Sequence, residues 1–169
     1  PKPVVTKLDP PYQYGVANII RYTGRQPEFV DAFETSLSTD WSGAGADIAI
    51  VACGSPISEA MRAAVILKET KGLETTVVNL HTLKPLDKTG LLKAVQGCRG
   101  IITIAQQQKT VLGNIVAGVI LEAGPQDLQK LVMMGVDDGY GATGAHYELV
   151  QDYGLTAEHI AETAVTLLD

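Results

Sequence analysis

Asp47-Ile48-Ala49-Ile50-Val51-Ala52-Cys53-Gly54-Ser55-Pro56-Ile57-Ser58-Glu59-Ala60-Met61 is the stretch that decides the fold. Its first part, 48–53, is a continuous apolar run too short for a helix. Such a run is typical of a parallel strand buried on both faces. Gly54-Ser55-Pro56 then turns the chain. Ser55 can cap a helix, Pro56 suits the first helical position, and Glu59 suits the first turn, where unpaired amides favour an acid. Ile57, Ala60, Met61, Ala64 and Leu67 mark one helical face, and Gly72 ends it.

The unit repeats downstream. Residues 75–80 form a β-branched strand. Asp87 caps a helix with Leu91, Leu92 and Val95 turned inward, and 100–105 is the next strand. The spacing predicts a helix over 111–122 despite Gly113 and Gly118, a fourth strand over 131–134, and two closing helices near 145–153 and 157–168, the second capped by Thr156. Strands alternating with helices make this an α/β fold. We expect a three-layer, Rossmann-like sandwich with a mostly parallel sheet, right-handed crossovers placing helices on both faces. Upstream, 14–22 reads as an extended segment. Phe29, Phe33 and Leu37 stand at spacing four, with Glu28, Asp31 and Glu34 between them, and predict a short amphipathic helix. Residues 36–45 read as a loop. The four prolines of 1–11 read as an extended linker arm.

Composition narrows the function. The chain has 169 residues, of which 46% are hydrophobic and 19% charged, and a mean hydropathy of +0.12, which argues for a folded core. Acids outnumber Lys plus Arg by 19 to 13, so a basic nucleic-acid footprint is absent. No apolar run approaches the roughly 20 residues that span a bilayer. Cys53 and Cys98 are far apart and read as reduced core thiols of a cytoplasmic protein. His81, His146 and His159 are scattered, and no metal-ligand spacing appears. Pro1-Lys2-Pro3 does not look like a translation start, and we expect a piece cut from a longer protein through an interdomain linker.

Few constellations carry chemistry. Gly54, Ser55 and Ser58 sit at the start of a helix after a central strand, where free amides can receive an anion; a plain cap by Ser55 explains the same residues. His81 and Thr82 open a loop that ends on Asp87, and could approach a domain boundary. Gly139-Tyr140-Gly141-Ala142-Thr143-Gly144 is a literal G-x-G-x-x-G, but only helices follow it, whereas a dinucleotide site needs the first turn of a βαβ unit. It reads as a flexible turn. Gln106-Gln107-Gln108 could face a subunit interface or a ligand. The small residues Gly113, Ala117, Gly118 and Gly124 let the helix over 111–122 pack closely on a neighbour.

Taken in order, these segments resemble a known family. "DIAIVACGSPISEAMRAA" is similar to the strand-turn-helix that opens the C-terminal domain of transketolase. "TTVVNLHTLKPLD" resembles its second strand and the Pro-Asp loop, and "GIITIAQQQKTVLGNIVAGVILE" its third strand and helix. "GVDDGYGATGAHYELVQDYGLTAEHI" resembles its closing segment, and "YQYGVANIIRYTG" the lead from the preceding domain. The same domain occurs in the beta subunit of 2-oxoacid dehydrogenases and in deoxyxylulose-phosphate synthase, which stand as alternatives. Two departures are visible. Gln106 to Gln108 replace residues that are usually acidic in the family, and 25–45 looks like an insertion.

The resemblance divides the chain into 1–46, a linker, lead segment and insertion, and 47–169, the α/β domain. It implies an enzyme that transfers a two-carbon ketol unit between sugar phosphates with thiamine diphosphate and a divalent metal. Both would be held by the diphosphate-binding and pyrimidine-binding domains, on the same or a companion chain. This domain alone carries neither motif, so it is expected to bind no cofactor and no metal, to supply no catalytic residue, and to help build a homodimer. No nucleic acid or membrane partner is expected. A non-catalytic anion-binding or regulatory module is the remaining alternative.

Overall fold

In the computed structural model, residues 12–43, 46–124 and 130–169 are described. The linker arm expected over 1–11 and the last residues of the expected loop, Gly45 among them, lie outside these. Strands β1 (Asn18–Tyr22), β2 (Phe33–Leu37), β3 (Ile48–Cys53), β4 (Thr75–Asn79), β5 (Gly100–Gln108) and β6 (Lys130–Val136) form one sheet in the order β2-β1-β4-β3-β5-β6. β3, β4, β5 and β6 are mutually parallel, while β1 runs antiparallel to both β4 and β2.

Helices cover both faces. On one side lie α1 (Ile57–Lys71) and α5 (Ala157–Leu168), which bury Met61, Leu67, Ile160 and Ala164 against Ile50, Val77, Ile102 and Ile104. On the other lie α2 (Lys88–Val95) and α3 (Lys109–Ala123), which bury Leu91, Leu112 and Val116 against Val51, Val78 and Ile101. Alternate residues of β3 enter opposite cores, as a strand buried on both faces must. A short helix, α4 (His146–Asp152), precedes α5. This is the expected three-layer sandwich with a mostly parallel sheet.

Three local expectations change. The Phe29–Leu37 stretch is a 3-10 turn over Phe29–Ala32 followed by β2. Backbone pairing with β1, from Asn18 opposite Leu37 to Tyr22 opposite Phe33, outweighs the four-residue spacing. Ser55 caps nothing: the residue before α1 is Pro56, without a side-chain cap, and the Ser55 hydroxyl turns to Gln106. β5 runs on through the glutamines to Gln108, with a register shift against β6 between Ile104 and Gln108. Asp87 and Thr156 do cap α2 and α5, accepting from the Gly90 and His159 amides.

Candidate functional site

Chain connectivity fixes where a ligand could enter. β3 leads into α1 on one face and then to β4; β5 leads into α3 on the opposite face and then to β6. The two connections part between the carboxyl ends of β3 and β5. That is the switch point at which open α/β sheets form their binding crevice.

A cavity of about 270 Å³ lies there, lined by Cys53, Gly54, Ser55, Leu83, Ala105, Gln106 and Leu112 among others. Gly54 has φ +78 and open space where a Cβ would stand, so the turn needs glycine for its backbone. This turn aims Ser55 across the crevice, where its Oγ donates to Gln106 Oε1. Gln106 Nε2 lies 3.5 Å from His146 Nε2, at the start of α4. Burial raises the Cys53 thiol pKa, which keeps it protonated at neutral pH. The polar side chains of the lining are the Ser55 hydroxyl, the Gln106 and Gln107 amides and the Cys53 thiol. A larger cavity of about 370 Å³, lined by Ile66, Thr70, Glu158, Ala161, Glu162 and Val165 among others, opens between α1 and α5. No strand end lines it.

The anticipated site residues separate. Gly54 and Ser55 line the crevice. Ser58 does not: it is buried, and its Oγ donates to the Ser55 carbonyl at 3.2 Å, bracing the turn from behind. His81 and Thr82 follow β4, one strand over, and Leu83 from their loop reaches the cavity. The His81 Nδ1 lies 2.9 Å from Thr82 Oγ1, its ring meets Tyr12 at 4.8 Å, and its Nε2 is buried without a hydrogen-bond partner. The Gly139–Gly144 turn and the acids Asp137 and Asp138 stand exposed beyond β6, with Asp137 paired to Lys109 at 2.5 Å and Asp138 accepting from Gln108 at 3.0 Å.

Asp87 does more than the sequence suggests. Oδ1 accepts from the Gly90 amide at 2.8 Å. Oδ2 accepts from the Ala17 amide at 2.8 Å and from Ser38 Oγ. Burial pushes the Asp87 carboxyl up, but the bonds from Ser38, Ala17 and Gly90 and the charge of Lys93 outweigh it, so its pKa is lowered. One carboxylate thus ties the lead segment, the end of β2 and the start of α2 together. Beside it, Tyr14 donates to the Lys84 carbonyl at 3.0 Å, which lays the lead segment along the His81–Asp87 loop.

Among the described residues no three His, Cys, Asp or Glu side chains gather to hold a metal ion, and the crevice offers no carboxylate. Nor is any helix of the described residues long and apolar enough to cross a membrane.

Comparison with known proteins agrees with this architecture. The family model described as transketolase, C-terminal domain, matches residues 40–160. One subunit of the apulose-4-phosphate transketolase of Actinobacillus succinogenes is 35% identical over 125 residues, covering 73% of this chain and 39% of that protein. A 1-deoxy-D-xylulose-5-phosphate synthase of Thermomicrobium roseum is 33% identical over 125 residues, 73% of this chain and 19% of its own length. Among solved structures, a split-gene transketolase described as an inactive beta4 tetramer superposes with a TM-score of 0.63 at 31% identity, over 74% of this chain and 39% of that one. A Pichia stipitis transketolase complexed with sedoheptulose 7-phosphate gives 0.53 at 25% identity, over 73% of this chain and 16% of its own. The chain therefore spans well under half the length of these relatives.

Proposed function

The chain belongs to the transketolase C-terminal domain family, and from that membership we propose that it is the structural, dimer-forming domain of an enzyme that moves a two-carbon ketol unit between sugar phosphates. The observation that carries this reading is the family match over 40–160 together with the superposition on a split-gene transketolase. Thiamine diphosphate and a divalent metal would belong to the pyrimidine-binding and diphosphate-binding domains, on the same or a companion chain. A single subunit of a divided transketolase is among the relatives, which supports a companion chain, and the beta4 assembly of another supports self-association. The cofactor would supply the carbanion chemistry; this chain would supply the platform against which the pyrimidine domain rests.

Residues 1–46 would lead in from the neighbouring domain, with 47–169 forming the α/β domain proper. His81 and Thr82, covered by Tyr12, would border that neighbour. Gly54 and Ser55, braced by Ser58, would receive an anion such as a phosphoryl group at the switch point. A cytoplasmic location fits sugar-phosphate chemistry. The likeness to a 1-deoxy-D-xylulose-5-phosphate synthase supports a second reading, in which the parent joins a two-carbon unit from a 2-oxoacid to an aldehyde phosphate, the carboxylate leaving as carbon dioxide.

Calorimetry tests the main reading. The chain alone, titrated with thiamine diphosphate and magnesium, is expected to show no binding, and micromolar affinity would sink the assignment. Assaying the complete enzyme with a ketose phosphate donor, and separately with pyruvate, distinguishes the two parents. For the crevice, titration with inorganic phosphate followed by NMR is expected to shift the Gly54 and Ser55 amides. Ser55→Ala should weaken that response several-fold, and an unchanged affinity removes the anion reading.

A further inference from the structure

The crevice at the switch point holds more than an anion seat. No charged side chain lines it. Leu83 enters from the loop after β4, and Val111 and Leu112 enter from the first turn of α3. β3 lies between β4 and β5 in the sheet, so aliphatic surface bounds the crevice on both sides of the β3 end. Val111, at 42% exposure, stands at its solvent side.

Two amides come from consecutive residues of the β5 end. Gln106 Oε1 accepts from Ser55 Oγ, which leaves Nε2 with only its 3.5 Å approach to His146. Gln107 makes no side-chain hydrogen bond among the described residues. An amide with donor and acceptor both open is complementary to a ligand edge that presents one of each side by side.

This lining selects among ligand classes. Between the aliphatic walls a charged group would have no counter-ion. A polyol carries hydroxyls all round, and those turned to Leu83, Val111 and Leu112 would lose water without gaining a partner. A flat heteroaromatic ring avoids both costs, because its faces are apolar and its donors and acceptors lie at its edge. Adenine sets an amino donor beside a ring-nitrogen acceptor, the pattern that a glutamine amide reads with two bonds. The cavity of about 270 Å³ falls just below the roughly 300–1,000 Å³ of sites for drug-sized ligands, which suits one base and its sugar and not a dinucleotide.

We propose that this crevice binds an adenine nucleoside 5′-phosphate, with the base between Leu83 and Val111, its edge on Gln107, and the phosphoryl group toward the Gly54–Ser55 turn. The phosphoryl half rests on the anion reading given above; the base half stands on the lining alone. Open α/β sheets receive nucleotides at this same point of their topology.

Titration of the 169-residue chain, followed by NMR, tests this. The probes are adenosine, adenosine 5′-monophosphate, ribose 5-phosphate and inorganic phosphate. Adenosine is expected to bind with sub-millimolar affinity and to shift the side-chain amides of Gln106 and Gln107. The monophosphate should bind more tightly than adenosine or phosphate. Gln107→Ala should weaken adenosine about tenfold and leave inorganic phosphate unchanged. Gln107 is exposed, so the variant keeps the fold, which circular dichroism checks. Val111→Trp, which fills the crevice from its solvent side, should abolish adenosine binding. Phosphate shifts without any response to adenosine overturn the base pocket and leave the anion reading standing. Adenosine binding without a phosphate response supports the base pocket and removes the phosphoryl half. Ribose 5-phosphate bound as tightly as the monophosphate overturns the proposal, as does unchanged adenosine affinity in both variants.

Discussion

Asp87 is the residue on which most depends, because it is the shared acceptor for three segments. Replacing it with Asn removes the charge and places an amide donor toward the Ala17 or Gly90 N–H. The expected loss is about 2 kcal/mol, in line with hydrogen bonds to a charged group, read as a lower urea midpoint. The pH dependence has a definite sign. A carboxyl whose pKa is lowered by folding stabilises the fold above its unfolded value, near about 4. That stability is lost as the pH falls through the lower, folded value. Urea midpoints measured from neutral pH down to the acid limb should therefore converge for the natural chain and Asp87→Asn. Sequence showed Asp87 only as a helix cap, since its bonds to Ala17 and Ser38 join residues 70 and 49 apart. The same limit hid the hydroxyl-amide pair of Ser55 and Gln106. Each residue looked ordinary in its own segment, and only the parallel pairing of β3 with β5 brings them together.

Among the elements, β3 through α3 were legible because each carries a local signature: a β-branched run, a glycine stop, a cap. The segment over 29–37 was not, because its two phenylalanines satisfy a helical spacing as well as a strand. Tertiary pairing decides between them, and Phe33 lies buried against Phe29 and Tyr22. The irregular join of β5 and β6 was equally invisible. There Gly135 stands where a Cβ would lie 2.7 Å from the Gln107 carbonyl oxygen and 2.8 Å from Lys109 Cα. Backbone atoms cannot rotate away as a side chain can. Gly135→Ala is expected to cost about 1–3 kcal/mol, the usual range for overpacking, measured by chemical denaturation. Gly113→Ala, whose obstacle is the flexible Met133, should cost less.

At the scale of the whole molecule, β1 and β2 complete a sheet that the central parallel strands begin. Ala17, Ile19 and Ile20 are buried from the lead segment, and Ala32 and Phe33 from the segment that follows it. Each fully buried large apolar side chain contributes about 1.5–3 kcal/mol, against a net stability of about 5–15 kcal/mol for a domain. A chain begun at Ala46 would lose them all and bare the edge of β4. It is expected to aggregate, seen by light scattering, whereas a monodisperse and cooperatively melting 46–169 would show that the parallel core stands alone. The antiparallel seat of β1 has a consequence for synthesis. Its partner β4 leaves the ribosome more than 50 residues later, and the Asp87 carboxylate that fastens Ala17 later still. β1 is thus locked only after three further strands have been made, and until β4 appears it has only the β1–β2 hairpin, which is marginal by itself in water. A neighbouring domain joined to β1 would be fixed against this one only once β4 and the Asp87 loop exist.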